Sequence, residues 1–391
     1  MFWGSAFKPF IVPRFQRNQL MKTQLKTKRI WNFSAGPATM PPEVLAQLGD
    51  DLINVDSTGI GILEHSHRMP TFDRVLGDAI DSCRQLGEIP NDYEIIFVPG
   101  GATVQFSLIA LNLIPDGATA DYPDTEIWSA KAIIEARDAV PTATIAVPFE
   151  GKKFHYDHVP VAGEMIPTTG AAYMHYCSNN TVHGTRFHLP PTPASGTPLV
   201  CDASSEIFGR PMDWKKHALV YAAGQKNFGV AGMCVIIAHK EVMRKPVRKL
   251  PSMFSYAAHL DAGSRINTPP TFAIHAAGLM FRWMIEQGGT REMEKRNDAK
   301  AAIIYKEIDG SGGFYHGLSR LECRSAINVS FRLKNENLDQ KFAQEATDAE
   351  LDGLIGHRDA GGIRASMYNA MPIEASKALA QFMRDFMRRN G

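Results

Sequence analysis

Lys226 and Asp202 are the residues of this sequence best placed to do chemistry. Asp202 ends the apolar run Leu199-Val200-Cys201; Lys226 follows the run Leu219 to Ala223 and lies 24 residues beyond the aspartate. A charge at the end of a buried strand is costly unless it is paired or put to use. The separation is that of one strand-to-strand crossover, so both side chains can emerge at the same edge of neighbouring strands. The turn Pro99-Gly100-Gly101-Ala102-Thr103 leads from another apolar run into a helix. Its glycines and the free amides of Ala102 and Thr103 suit an anion, although a Gly-Gly turn is more often only a turn. It matches neither the P-loop nor G-x-G-x-x-G, which demotes ATP and dinucleotide readings.

Lys226 and Asp202 together make either a structural ion pair or the pair that pyridoxal 5'-phosphate chemistry requires. In the second case the lysine forms a Schiff base and the acid keeps the pyridine nitrogen protonated. Spacing alone leaves both open. Thr181, beside Asn179 and Asn180, offers a hydroxyl for a cofactor oxygen, or caps a helix. Trp128 offers a ring to stack on, or packs a helix start. His67 and Arg68, His357 and Arg358, and Arg364 sit in glycine-rich or polar loops. Singly each reads as a solvated charge; together they make a site for carboxylate or phosphate, which arginine binds bidentately. No H-x-x-x-H spacing occurs among these histidines, and no metal site is expected.

Short apolar runs must position these residues: Glu94 to Pro99, Ala118 to Tyr122, Thr142 to Val147, Ala171 to Tyr176, Pro198 to Cys201, Leu219 to Ala223 and Cys234 to Ala238. Each is followed by a helix-like stretch, which predicts a mainly parallel sheet covered by helices, an α/β architecture. Ligands bind such sheets beyond the carboxyl ends of the strands. The apolar stripe of Thr271 to Gln287 reads as core. Past about Arg291 a charged helix, a strand at Ala326 to Arg332, a helix from Asn337, a glycine-rich connection at Gly353 to Gly362 and a last helix from Ile373 predict a smaller α+β domain.

At 391 residues the chain is long enough for two domains. Lys+Arg 42 against Asp+Glu 41 gives a net charge of +1, so no overall field draws nucleic acid or an anionic membrane. The five cysteines show no C-x-x-C spacing, which fits free thiols in a reducing compartment. No stretch approaches the ~18 apolar residues of a membrane span. Segment 1–30 is basic and free of acid, the first acidic residue being Glu43. It reads as a flexible arm, an upstream-start extension ahead of Met21, or an organelle transit peptide. The expected location is cytoplasmic, or an organelle on the last reading.

Several motifs, taken in order, resemble those of the phosphoserine aminotransferase family, class V enzymes of pyridoxal-phosphate fold-type I. They are Asn32-Phe33-Ser34-Ala35-Gly36-Pro37-Ala38, His65-Ser66-His67-Arg68, Ala223-Gly224-Gln225-Lys226-Asn227, Asn267-Thr268-Pro269-Pro270-Thr271-Phe272, Gly356-His357-Arg358 and Gly362-Ile363-Arg364-Ala365-Ser366-Met367-Tyr368-Asn369-Ala370. The likeness runs from about Trp31 to the carboxyl terminus. It implies a segment 31–41 packed on the small domain, a large cofactor-binding α/β domain over 42–290 and a small α+β domain over 291–391.

The same resemblance implies that Lys226 is the catalytic lysine and that Asp202 pairs with the pyridinium. Trp128 would stack on the ring, and Thr181 would bond the phenolic oxygen. Ala102, Thr103 and Gln225 would hold the cofactor phosphate, with Asn267 and Thr268 reaching in from the second subunit of a homodimer. Arg364 would take the substrate α-carboxylate. His67 and Arg68, with His357 and Arg358 from the partner chain, would take the distal anion. The implied reaction is ping-pong amino transfer from L-glutamate to 3-phosphohydroxypyruvate, and a pyridoxine-pathway activity accompanies it in many bacterial members. Two positions depart from the pattern: Thr103 stands where many bacterial members have arginine, and Asn180 where relatives usually have glutamate. A class V aminotransferase for an unphosphorylated keto acid, and a catalytically silent cofactor binder, are the rival readings.

Overall fold

The computed structural model describes residues 29–391. Nearly all of the basic segment 1–30 therefore lies outside the described residues. The expected apolar runs form one seven-stranded sheet: β2 (Tyr93–Pro99), β3 (Thr119–Asp121), β4 (Thr144–Ala146), β5 (Met174–Cys177), β6 (Leu199–Asp202), β7 (His217–Ala223) and β8 (Met233–His239), in the order β2-β8-β7-β6-β5-β3-β4. From β7 to β4 every neighbour is parallel. Strand β8 runs antiparallel to both β2 and β7. An apolar run buried on both faces carries no sign of direction, so the reversal was invisible in the sequence.

Helices cover both faces. One core packs the helices Pro42–Asp51, Pro70–Gly87 and Thr271–Glu286 against the sheet through Phe72, Leu76, Phe228, Ile274, Phe281 and Met284. The other packs Ala102–Leu113 and Ile127–Ala139 through Phe106, Ile109, Ala132, Tyr173 and Tyr221. The stripe expected to be core is core: Phe281 and Met284 are fully buried.

A third core belongs to the carboxyl-terminal part, where β9 (Tyr315–Gly317), β10 (Asn328–Leu333) and β12 (Ile363–Ser366) form an antiparallel sheet in the order β12-β10-β9. The helices Gly289–Asp309, Asn337–Asp348 and Ile373–Asn390 cover it, with Ile304, Phe331, Phe342 and Phe386 inside. The amino-terminal β1 (Trp31–Asn32) pairs in parallel with β11 (Leu351–Asp352), and Phe33 joins this core. Among the described residues no helix is long and apolar enough to cross a membrane.

One lysine ties the helix Gly289–Asp309 to the end of β12. Lys300, in the helix Gly289–Asp309, is 1% exposed and donates to the carbonyls of Met367 at 2.9 Å and Tyr368 at 2.7 Å. Burial pushes its ammonium down to about 7. Those carbonyls follow directly on β12, which carries Arg364. Lys300→Met leaves the buried Met367 carbonyl without its donor, while the Tyr368 carbonyl keeps the Met371 N–H, and is expected to cost about 1–3 kcal/mol. The check is the urea unfolding midpoint, which should fall while the slope stays unchanged.

Candidate active site

Five of the strand ends face one cleft at the carboxyl edge of the sheet. Its lining includes Gly101, Ala102, Thr103, Trp128, Thr181, Asp202, Gln225 and Lys226, around roughly 560 Å³ of open space. Register explains the convergence: Cys177 of β5 sits beside Asp202 of β6, which sits beside Tyr221 of β7. The loops after these strands bring Thr181 and Lys226 together, and the Lys226 ammonium donates to Thr181 Oγ1 at 2.8 Å.

Each group is held by its own neighbours. Asp202 is 7% exposed and its Oδ1 accepts the Ser204 N–H at 2.9 Å. Burial pushes its carboxyl up, while Ser204, Lys226 and Tyr221 pull it back. Burial likewise pushes the Lys226 amine down, opposed by the charges of Asp202 and Glu126. The lysine is therefore richer in free amine near neutral pH than an exposed lysine, as a nucleophile or base requires. The Lys226 nitrogen lies 5.6 Å from the centre of the Trp128 ring, and the buried Trp128 Nε1–H has no acceptor among the described residues.

The Gly-Gly turn is more than a turn. Gly100 has φ +96, a left-handed conformation that side chains avoid, and it delivers Gly101 as the residue capping the helix Ala102–Leu113. The first-turn amides of Ala102 and Thr103 therefore border the cleft with the positive end of the helix dipole behind them. Gly224 has a tighter constraint: a Cβ there would stand 2.5 Å from the Val230 carbonyl, so the turn presenting Gln225 and Lys226 requires glycine. Gly36 approaches from the amino-terminal segment, and the Gln225 carbonyl accepts the Ala38 N–H at 2.9 Å.

Arg364, on β12, is close enough to Lys226 for its charge to lower the lysine's proton affinity. Its Nε–H is buried without a partner among the described residues, and burial pulls the guanidinium down. A half-desolvated arginine with an unused donor is ready for an anion. His357 feels the charges of both Arg364 and Glu126, which puts it on the same side of the molecule as Lys226 in this one chain. The Arg358 side chain beside it is 87% exposed.

His67 and Arg68 are elsewhere. They line a second cleft with Asn267, Thr268, Asp73 and Arg265, and none of these residues lines the Lys226 cleft. An ion pair joins Arg265 to Asp73 in the first turn of the helix Pro70–Gly87, which follows the His67-Arg68 loop. The structure thus divides the expected set differently: His67 and Arg68 travel with Asn267 and Thr268, whereas His357 stays near Arg364. The contact joins loops far apart in sequence, and no local pattern announces it.

One buried residue, Glu126, went unread in the sequence. Glu126 is fully buried beside Lys226's cleft, accepting the Val182 and His183 N–H groups at 2.6 and 2.8 Å. Asn180, the departure without an account, is a tie: its Nδ2 donates to Thr185 Oγ1 at 2.8 Å and its Oδ1 accepts from Thr125 at 3.2 Å. Thr103, the other departure, is exposed and lines the cleft. Thr103→Arg is expected to lower the Michaelis constant for a phosphorylated keto acid about tenfold or more, since one charge-assisted contact is worth about 1.5–3 kcal/mol. An unchanged constant would show that the phosphate is already saturated by other groups.

A mainly parallel sheet with helices on both faces, an appended α+β part and a cleft centred on a lysine make up an aminotransferase-type fold. The family model for class-V aminotransferases matches residues 30–379. Among curated proteins, a phosphoserine aminotransferase from Desulfosudis oleivorans is 42% identical over 93% of this chain and 100% of its own length. Solved structures give the same answer. The phosphoserine aminotransferase of Bacillus circulans subsp. alkalophilus superposes with a TM-score of 0.90 at 37% identity, covering 93% of this chain and 100% of the other. The PLP-bound phosphoserine aminotransferase of Trichomonas vaginalis gives a TM-score of 0.86 at 36% identity, covering 91% and 100%. The chain belongs to the phosphoserine aminotransferase family of class-V aminotransferases.

Proposed function

We propose that this chain transfers the amino group of L-glutamate to 3-phosphohydroxypyruvate, giving O-phospho-L-serine and 2-oxoglutarate, with pyridoxal 5'-phosphate held at Lys226. The observation that carries the proposal is the meeting of Lys226, Thr181 and Asp202 in one cleft that Arg364 overlooks with an unused donor. The donor set fits the cofactor. Asp202 would keep a pyridinium proton in place, Trp128 would flank the ring, and Thr181 would bond the phenolic oxygen. The amides of Ala102 and Thr103, with Gln225, would take the phosphate. When bound, the cofactor supplies an electron sink for the charge left when the substrate loses its α-proton.

The chain's own residues do the rest. Lys226, its amine freed by burial, would hold the cofactor and, once the substrate amine has displaced it, would move the proton at the substrate α-carbon. Arg364 binds the α-carboxylate common to both half-reactions and so fixes which bond faces the lysine. His357 and Arg358 supply positive charge for the distal anion, the phosphate of one substrate and the γ-carboxylate of the other. His67, Arg68, Asn267 and Thr268 form a single group remote from their own lysine, and we assign the whole group to the active site of a partner subunit in a homodimer. A second activity in the pyridoxine route, a cytoplasmic location, and domain limits of 42–290 and 291–391 complete the proposal. The helix Gly289–Asp309 runs through the second limit.

The test is turnover with L-glutamate of 3-phosphohydroxypyruvate against pyruvate and glyoxylate. Phosphohydroxypyruvate should be preferred by kcat/KM at least ~100-fold, the worth of two charge-assisted contacts. Equal values would favour a class V enzyme for unphosphorylated acids.

A further inference from the structure

Glu126 is a costly residue. It is fully buried as the N-cap of the helix Ile127–Ala139, in a capping box with Ser129. Its Oε1 accepts two backbone N–H groups, from Val182 at 2.6 Å and His183 at 2.8 Å. Val182 follows Thr181, whose hydroxyl receives the Lys226 ammonium. On its other side Glu126 adjoins the wall that carries Trp128: the N–H groups of Thr125 and Glu126 both donate to Ser129 Oγ at 2.8 Å. One side chain thus joins two walls of the cleft. A neutral glutamine could accept the same two N–H groups, so tying the loops does not explain a buried charge. The neighbouring Asn180 is neutral and engaged with Thr125 and Thr185.

We propose that Glu126 is a positioning residue of the Lys226 site, fixing the loop that presents Thr181 to the lysine and supplying the buried negative charge that balances the site's cations. This rests on the reading of Lys226 as the cofactor-holding lysine. Among the described residues, the charged or titratable groups that act most on Lys226 are Asp202 from β6, Glu126, Cys177 from β5 and Arg364 from β12. Glu126 in turn is faced by His183 at 3.6 Å, and its charge reaches Tyr156, His357, Arg364 and Tyr368. Burial and Arg364 both drive the proton from Lys226, while Glu126 and Asp202 hold it. Removing the Glu126 charge alone leaves the lysine with Asp202 as its main counter-charge.

The experiment is the rate at which the full-length chain, stripped of cofactor, takes up pyridoxal 5'-phosphate as a function of pH. Only the unprotonated amine reacts, so the midpoint of the rate profile reports Lys226. Glu126→Gln should move the midpoint to lower pH by at least about half a unit, and Glu126→Asp, which keeps the charge, by clearly less. Thermal melts of the stripped proteins show that each variant is folded. A folded Glu126→Gln protein with the wild-type midpoint overturns the proposal, as does an Asp variant that shifts as far as the Gln variant. Failure of the unsubstituted chain to take up the cofactor would instead overturn the reading of Lys226 itself.

Discussion

Lys226→Ala is expected to lower amino transfer by at least ~10⁴-fold in kcat, with folding intact. The lysine is both the covalent anchor and the proton carrier, and loss of a positioned acid–base group alone costs about 10² to 10⁴. Alanine also removes the donor to Thr181, but that hydroxyl borders the open cleft, where water can replace it. The same variant tests the sharing of sites between subunits. If His67, Arg68, Asn267 and Thr268 serve the partner's lysine, an Arg68→Ala chain retains an intact Lys226 and lacks only the group it lends. Refolding equal amounts of Lys226→Ala and Arg68→Ala chains gives mixed dimers in which one site has both a lysine and an intact lent group. Activity should then rise above that of either parent. Mixtures no more active than the Arg68 variant diluted twofold would place that arginine at its own chain's lysine.

Arg364→Gln should lower kcat/KM for glutamate by on the order of 10² to 10⁴, from loss of a bidentate charge-assisted contact worth about 1.5–3 kcal/mol per bond. Both half-reactions should suffer alike, because the α-carboxylate is common to all substrates. Arg364 is held by β12 pairing with β10, where Ser330 stands opposite it, and by the Lys300 tie to the residues that follow. The substitution should therefore leave the melting temperature within a few degrees of the parent. A loss confined to the phosphorylated substrate would mean that Arg364 serves the distal anion instead.

Much of this site could be read before any coordinates. Asp202 and Lys226 stood out because a charge ending an apolar run demands a reason, and the parallel sheet did bring both to one edge. The glycines of the turn at Pro99 to Thr103 advertised a close backbone approach. What stayed hidden depends on contacts with no local period. Glu126 sits in the run Asp124-Thr125-Glu126, which looks like a solvated acidic stretch until Val182 and His183 fold over it. Strand β12 is four residues long and leaves a glycine-rich loop, so the loop was legible and the strand was not. The companionship of His67 and Arg68 with Asn267 and Thr268 rests on packing between distant loops, which spacing cannot convey.

The most direct test of the Lys226-centred account is an absorbance titration of the purified, cofactor-loaded protein with L-glutamate. The account predicts that glutamate converts the bound cofactor from its aldehyde-derived to its amine form, bleaching the visible band, and that 3-phosphohydroxypyruvate restores it. A protein that shows the coloured cofactor and keeps its band unchanged in excess glutamate would contradict it.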